Sequence, residues 1–305
     1  MIIIKDNNID KYDFVENSSV AIGNFDGIHV GHQKLFKKLV ESPRTYGTKT
    51  IVLTFDPHPS KVIGNIKKNE PFFLCDFGEK SRIISGLGIN YLVSLPFTKA
   101  ISRMFPHDFV KNILIDRLKA KHIVVGFDYR FGRNKMGGIE DLKEFSKLYK
   151  FHIDVIPPVI IDGEIISSSY IRKLISEGDV EKAEKGLGRP YMLEGTVIKG
   201  KGRGKKIGVP TANLEINPSI ILPKDGVYSV KVEYKSRFYD GIVSIGENPT
   251  FNNRFITVEV HIIDFSKNIY NSRLKIFFKE RVRDIIKFKN QFELKNQILK
   301  DISLL

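Results

Sequence analysis

The sequence predicts two domains in one chain: an α/β domain built on a parallel sheet, then a small antiparallel β-barrel with a terminal helix. Three observations lead there. Up to about residue 180, strand-like runs alternate with helical ones, the pattern of a parallel sheet covered by helices. Across residues 178–191, GDVEKAEKGLGRPY holds a short helix and then Gly and Pro, which marks a boundary near residue 184. Beyond it, short β-branched and aromatic runs recur with turn signals between them, as in a small barrel. The expected domains are residues 1–184 and 185–305.

Composition bounds the partners. The chain has 305 residues, enough for two ordinary domains. Its net charge of +14 favours anionic partners: nucleotides, nucleic acid or a membrane surface. The single Cys75 excludes an internal disulfide framework and any Cys-rich zinc site. The opening MIII, followed at once by Lys5 and Asp6, is too short for a signal-peptide core. No apolar run approaches the length of a membrane span, and a cytoplasmic location is expected.

The first domain is organised around GNFDGIHVGH, residues 23–32. SVAI before it reads as a buried strand. In QKLFKKLV after it, Leu35, Phe36, Leu39 and Val40 fall on one helical face. The stretch is therefore a strand-to-helix turn. Gly23, Gly27 and Gly31 let the backbone turn sharply and approach a ligand around Asn24, Phe25 and Asp26. The helix N-terminus suits a phosphate, and His29 and His32, three apart, add a directional clamp. Zinc is the rival for the two histidines, although no third His or Cys lies close in sequence.

The remaining elements follow in order. KTIVLTF (49–55) is a strand that ends in DPHP, where Asp56, Pro57, His58 and Pro59 form a stiff turn. EKSRIISGLG (79–88) is a helix with a Gly stop, and NYLVSL (90–95) a strand. PHDFVKNILIDRL (106–118) opens a helix on Pro106, with Phe109, Ile113, Ile115 and Leu118 as its apolar face. HIVVGF (122–127) is a strand, GGIEDLKEFSKLY a helix and FHIDVIPP a strand. In GFDYRFGRNKMGG (126–138), Phe127, Tyr129 and Phe131 alternate, so on an extended segment they share one side. This stretch suits either a planar ring and a phosphate or a mobile surface loop. Ligands of parallel sheets bind at the carboxyl ends of strands, and residues 23–32, 54–59 and 126–137 all fall at such ends. ISSSYIRKLI (166–175) starts another amphipathic helix, with hydroxyls and Arg172 beside its N-terminus; plain capping explains it equally well.

In the second domain the strands are MLEGTVI (192–198), GVYSVKVEY (226–234), RFYDGIVSI (237–245), FITVEVHII (255–263) and LKIFF (274–278). In the tail, Phe288, Phe292, Leu299 and Ile302 form a near-helical stripe expected to pack on the barrel. GKGRGKKIGVPTANL (200–214) interleaves glycines with five basic residues in eight between Lys199 and Lys206. A phosphate-wrapping loop, a nucleic-acid arm and a solvated loop remain open from the residues alone. It is not a P-loop, because no GK pair precedes Ser or Thr. Thr211 and Asn213, two apart, face one way on an extended segment and offer hard oxygen ligands for Mg²⁺. Glu259 and His261 share one face of a strand, which would be plainly exposed if Val258 and Val260 point inward.

HxGH after a strand resembles the signature of the nucleotidylyltransferase superfamily. With GNFDGIHVGH, FDPHP, PTAN and the ExH strand, the chain resembles the bacterial bifunctional riboflavin kinase/FMN adenylyltransferases, from about residue 15 to 300. LGRPY (187–191), LPKDGVY (222–228) and IGENPTF (245–251) match as well. The resemblance implies a Rossmann-like nucleotidylyltransferase domain and a six-stranded barrel with a terminal helix. It implies phosphorylation of riboflavin to FMN by the barrel, then adenylylation of FMN to FAD with release of pyrophosphate. In the first domain it assigns ATP to Gly23, Asn24, Phe25, Asp26 and Gly27, to His29 and His32, and to Gly126, Ser167, Ser168 and Arg172. In the second it assigns ATP to Gly200, Gly202, Gly204 and Lys206, with Thr211 and Asn213 on Mg²⁺ and phosphates. Flavin falls to Asp56, Pro57, His58 and Pro59, to Phe127, Asp128, Tyr129 and Phe131, and to Arg283. Glu259 becomes the catalytic base. The expected partners are riboflavin, FMN and ATP, with no nucleic acid and no membrane; a monomer and a transient homo-oligomer both fit. One departure stands out: family members usually carry an acidic residue two positions after Arg283, where this chain has Ile285. Two rivals remain: an RNA-interacting protein, suggested by the charge, and an adenylyltransferase whose barrel is inactive, suggested by Ile285.

Overall fold

The computed structural model describes residues 1–5, 12, 14, 17–64, 70–200, 204, 208–250 and 253–303. Gly202 and Lys206 lie outside the described residues. Contacts gather the chain into two compact units: Met1–Glu70 with Asp76–Ser167, and Pro71–Cys75 with Ser168–Leu305.

The first unit runs β1 (Ile2–Lys5), β2 (Ser18–Ile22), α1 (Val30–Tyr46), β3 (Lys49–Phe55), α2 (Pro59–Val62), α3 (Phe77–Ser85), β4 (Tyr91–Leu95), α4 (Lys99–Ser102), α5 (Pro106–Asp108), β5 (Ala120–Gly126), α6 (Ile139–Tyr149), β6 (His152–Ile156) and the ribbon β7 (Ile160–Ile161) and β8 (Glu164–Ile165). Its sheet is six-stranded among the described residues, in the order β1-β4-β3-β2-β5-β6, with every pairing parallel. Strand side chains alternate between faces, and both faces are covered. Val20, Ile22, Ile51 and Leu53 pack against Phe109, Val110 and Leu114 on one side. Ala21, Val52 and Leu92 pack against Leu35, Phe36 and Leu39 of α1 on the other. Val40, expected on that face, is exposed.

The expected helix over 106–118 is α only at its start. From Phe109 to Arg117 it is a π-helix, closed by a bond from Leu118 N–H to the Ile113 carbonyl. The buried Phe109, Leu114 and Leu118 are five and four residues apart, a spacing the wider turn aligns on one face.

The second unit holds α7 (Ser168–Glu177), α8 (Val180–Leu187), β9 (Met192–Ile198), β10 (Ala212–Ile216), β11 (Gly226–Tyr234), β12 (Arg237–Thr250), β13 (Asn253–Ile262), β14 (Arg273–Arg283) and α9 (Gln291–Ile302). The strands close an antiparallel barrel in the order β10-β13-β12-β11-β14-β9. Its interior is filled by alternate residues such as Val230, Val232, Val258, Val260, Ile276 and Phe278. The tail is helical as expected. Phe292 is 71% exposed and Leu299 48%, whereas Phe288 and Ile302 are half-buried, so only part of the predicted stripe is covered. The covered face carries Leu294, Gln297, Ile298 and Ile302 together with the buried carboxylate of Asp301. Asp301 receives both Nε and Nη2 of Arg283, at 2.7 to 3.1 Å. No helix among the described residues is long and apolar enough to cross a membrane.

Candidate active sites

In the sheet order, β3, β2 and β5 are neighbours. The segments 23–32, 54–59 and 126–137 therefore leave three adjacent carboxyl ends. The chain proceeds from β2 to β3 on one side and later to β5 on the other, so a topological switch point lies at β2/β5, where such sheets bind ligands.

The turn after β2 is tightly wound. Phe25 (φ 49), Gly27 (φ 73) and Ile28 (φ 43) are left-handed; for the non-glycine residues this costs about 1–3 kcal/mol each. Burial offsets that cost. Ile28 is fully buried, and the Phe25 ring packs on Phe36 and edge-on to His32. Gly23 is needed for proximity: a Cβ there would lie 2.9 Å from the Phe25 ring.

His29 caps α1, its Nδ1 accepting from the His32 backbone N–H at 3.4 Å. That contact leaves Nε2 to carry the ring proton as a donor. The His29 and His32 rings stack with centroids 3.6 Å apart. Burial, then His29, then Lys80 hold the His32 pKa well below the usual histidine range. His32 is thus neutral at pH 7, and its buried Nδ1 has no hydrogen-bond partner among the described residues. The first turn of α1 carries no acidic side chain, so the helix dipole is uncancelled there. Among the described residues no group of three or more His, Cys, Asp or Glu is placed to hold a metal.

The other two strand ends surround this turn. Thr54 Oγ1 donates to the Asn24 carbonyl at 3.2 Å, one residue before the end of β3. His58 caps α2, accepting from Ser60 N–H, while Asp56 and Pro57 are exposed. After β5 the chain turns, with Tyr129 N–H on the Gly126 carbonyl. The aromatic alternation is therefore split. Phe127 and Asp128 are exposed, whereas Tyr129 and Phe131 stack on each other in the core, Phe131 also against Phe109. Burial raises the Tyr129 phenol pKa. A cavity of about 480 Å³ is lined by Phe127, Asp128, Tyr129 and Arg130 with the start of α6. Ser167 precedes α7 and Ser168 opens it. Arg172, in the second unit, bonds Ser169 Oγ and lies 3.9 Å over the Phe72 ring.

In the barrel, Asn213 of β10 sits opposite Glu259 of β13. Val258 and Val260 point inward, as the bland reading of that strand required, yet the half-buried outer face is not featureless. Thr211 Oγ1 donates to Glu259 Oε2 at 3.4 Å. His261 Nδ1 donates to the Pro210 carbonyl at 2.8 Å and so ties PTAN to the ExH strand. Gly200 closes over this group: a Cβ there would lie 2.1 Å from Asn213 Nδ2. Gly204 is equally tight, its Cβ position 2.3 Å from the Val209 carbonyl. Arg283 is pinned to α9 by Asp301. Asp284 pairs with Arg281 at 2.7 Å, and Ile285 is exposed.

Sequence reasoning missed Lys80, Asp301 and the role of His261. Lys80 Nζ donates to the Asn24 carbonyl at 2.7 Å. It lies one helical turn before Ile84, which is buried with α1 on the same sheet face. No local pattern links it to residue 24. Asp301 is an ordinary charged position until the fold buries it.

The fold and these side-chain groups define a class: a two-part transferase, with a nucleotidylyltransferase-type sheet domain joined to a kinase-type barrel. The FAD synthetase family model matches residues 12–170 and the riboflavin kinase model residues 187–305. Curated bifunctional riboflavin kinase/FMN adenylyltransferases are similar along nearly the whole chain. That of Listeria monocytogenes is 37% identical, covering 93% of this chain and 90% of its own. Those of Bacillus subtilis and Escherichia coli K12 are 36% and 30% identical, covering 93% and 94% of this chain and 90% and 91% of theirs. A crystal structure of a macrolide-efflux protein from Streptococcus pneumoniae matches with TM-score 0.92 and 33% identity, over 100% of this chain and 98% of that one. The chain belongs to the bifunctional riboflavin kinase/FMN adenylyltransferase family.

Proposed function

We propose how the two activities of this family are divided among the residues. The chain is a bifunctional transferase that makes FMN from riboflavin and ATP, then FAD and pyrophosphate from FMN and a second ATP. The functional boundary lies near residue 184, the enzyme works in the cytoplasm, and either a monomer or a transient homo-oligomer serves. One observation carries the division: a carboxylate stands beside Thr211 and Asn213, whereas the His29–His32 pair is a set of donors at a helix N-terminus.

Adenylyl transfer needs no base, because an FMN phosphate oxygen is already anionic. It needs alignment and donors for the charge that builds on departing pyrophosphate. His29 Nε2–H, neutral His32 and the amides of the turn provide them. Ser167, Ser168 and Arg172 are assigned as further donors on the resemblance. Asp56 to Pro59, with Phe127, Asp128 and their neighbours Tyr129 and Phe131, are assigned to FMN.

The kinase step starts from a neutral ribityl hydroxyl, which must lose a proton. Glu259 accepts it, a contribution of roughly a hundred- to ten-thousandfold. The residues fit Mg²⁺: Thr211 Oγ1 turns its proton toward Glu259 and keeps lone pairs free, and Asn213 adds an amide oxygen. The ion would neutralise charge on the ATP phosphates. Arg283, held by Asp301, is assigned to the flavin. Product analysis from riboflavin and Mg-ATP tests the whole reading: FMN should appear first and FAD after it. FAD formed only from supplied FMN would leave the barrel inactive. Neither product, with salt-sensitive retention on RNA, would replace this reading by nucleic-acid binding.

A further inference from the structure

The turn that carries Asn24 is strained at Phe25 and Ile28, yet its form decides where the amides and His29 point. Something must hold it. The Asn24 carbonyl is the fixed point: it accepts from Thr54 Oγ1 at the end of β3 and from Lys80 Nζ on α3. Gln33 Nε2 secures the far side through the Ile28 carbonyl at 3.0 Å. Of these three, Lys80 alone brings charge. It is half-buried, and among the described residues it has no carboxylate partner. An ammonium has three donors, and its bond to Asn24 uses one. Its bond to Asn24 anchors it to the turn that leads into His29, His32 and α1, and its charge helps hold the His32 pKa down.

We propose that Lys80 is a positioning residue for adenylyl transfer: it clamps the left-handed turn through the Asn24 carbonyl and adds a fixed positive charge for the nucleoside triphosphate. This rests on the assignment of residues 23–32 to ATP. The polyphosphate is the target because a cation anchored to the turn that leads into a helix N-terminus and two imidazoles matches several adjacent anionic oxygens.

The test uses the full chain with Lys80→Met and Lys80→Arg, and follows FAD formation from FMN and ATP. Lys80→Met should raise KM for ATP about tenfold, as for loss of a charge-assisted contact, and leave KM for FMN within about twofold. Lys80→Arg should recover most of the affinity for ATP. A mere loss of folded protein lowers the apparent kcat and moves neither KM, so the split reports positioning. An unchanged KM for ATP in Lys80→Met, a rise confined to FMN, or an equal defect in both variants overturns the proposal. His32→Ala separates this from the underlying assignment. If His32→Ala abolishes FAD formation while Lys80→Met is silent, only the Lys80 inference fails. If both are silent, residues 23–32 do not hold ATP.

Discussion

Replacing Gly200 by alanine should disable the kinase without touching adenylyl transfer. The added Cβ would lie 2.1 Å from Asn213 Nδ2 and 2.6 Å from its Cγ. Non-bonded atoms settle near 3.5 Å, so the Asn213 amide must retreat by roughly 1.4 Å. Backbone strain does not contribute, because Gly200 is not among the left-handed glycines. The Asn213 backbone is held between β9 and β13, so the amide can retreat only by rotating about its own side-chain bonds, which turns its oxygen from the place proposed for Mg²⁺. A misplacement of about 1 Å at a reacting centre costs on the order of a hundredfold, equivalent to about 2.7 kcal/mol of transition-state stabilisation. The assay is the initial rate of FMN formation from riboflavin and Mg-ATP, resolved by flavin chromatography. The rate of FAD formation from supplied FMN, on the same preparation, should be unchanged. FMN formation within about threefold of the parent chain, far short of a hundredfold loss, would refute the role given to Asn213.

Glu259→Gln should lower FMN formation by roughly a hundredfold or more and spare FAD formation from FMN; His32→Ala should do the reverse and stop the product series at FMN. Both are read in the same chromatographic assay, and loss of both activities in a folded Glu259 variant would contradict two separate sites. Asp301→Ala leaves Arg283 half-sequestered without its carboxylate. Breaking a buried pair costs about 3–5 kcal/mol, reduced here because the Arg283 side chain keeps 17% exposure and a bond to the Asp284 carbonyl, and a chemical melt should register the loss. Acid should destabilise the first unit through buried histidines. Burial lowers the pKa of His122, against the opposing pull of Asp154 2.9 Å away, and burial also lowers that of His32. Both are neutral in either state above the unfolded value near 6.5. Below it the unfolded chain takes up protons that the fold refuses, so stability falls with pH down to the folded values. His122→Asn should flatten the dependence of Tm on pH between about 7 and 5, and an unchanged slope would remove His122 from that account.

The sequence by itself determined the class of each half, most strand positions and the motifs. Periodicity and turn chemistry are local properties: SVAI followed by a glycine turn and LFKKL needs no distant partner to be read. The resemblance carried the chemistry further, to Glu259, Thr211 and Asn213. What the tertiary structure alone decided is contact between residues far apart in sequence. Asn213 and Glu259 meet through the antiparallel register of β10 and β13. Lys80 meets Asn24 because α3 and α1 cover one sheet face. The tail helix leaves Phe292 and Leu299 exposed and buries Asp301 against Arg283, a residue 18 positions earlier that no helical periodicity points to. Phe127 parts from Tyr129 and Phe131 because the chain turns where alternation assumed it ran straight. In each case the side chains were legible and their partners were not, since a partner is chosen by how sheets and helices pack rather than by neighbours along the chain.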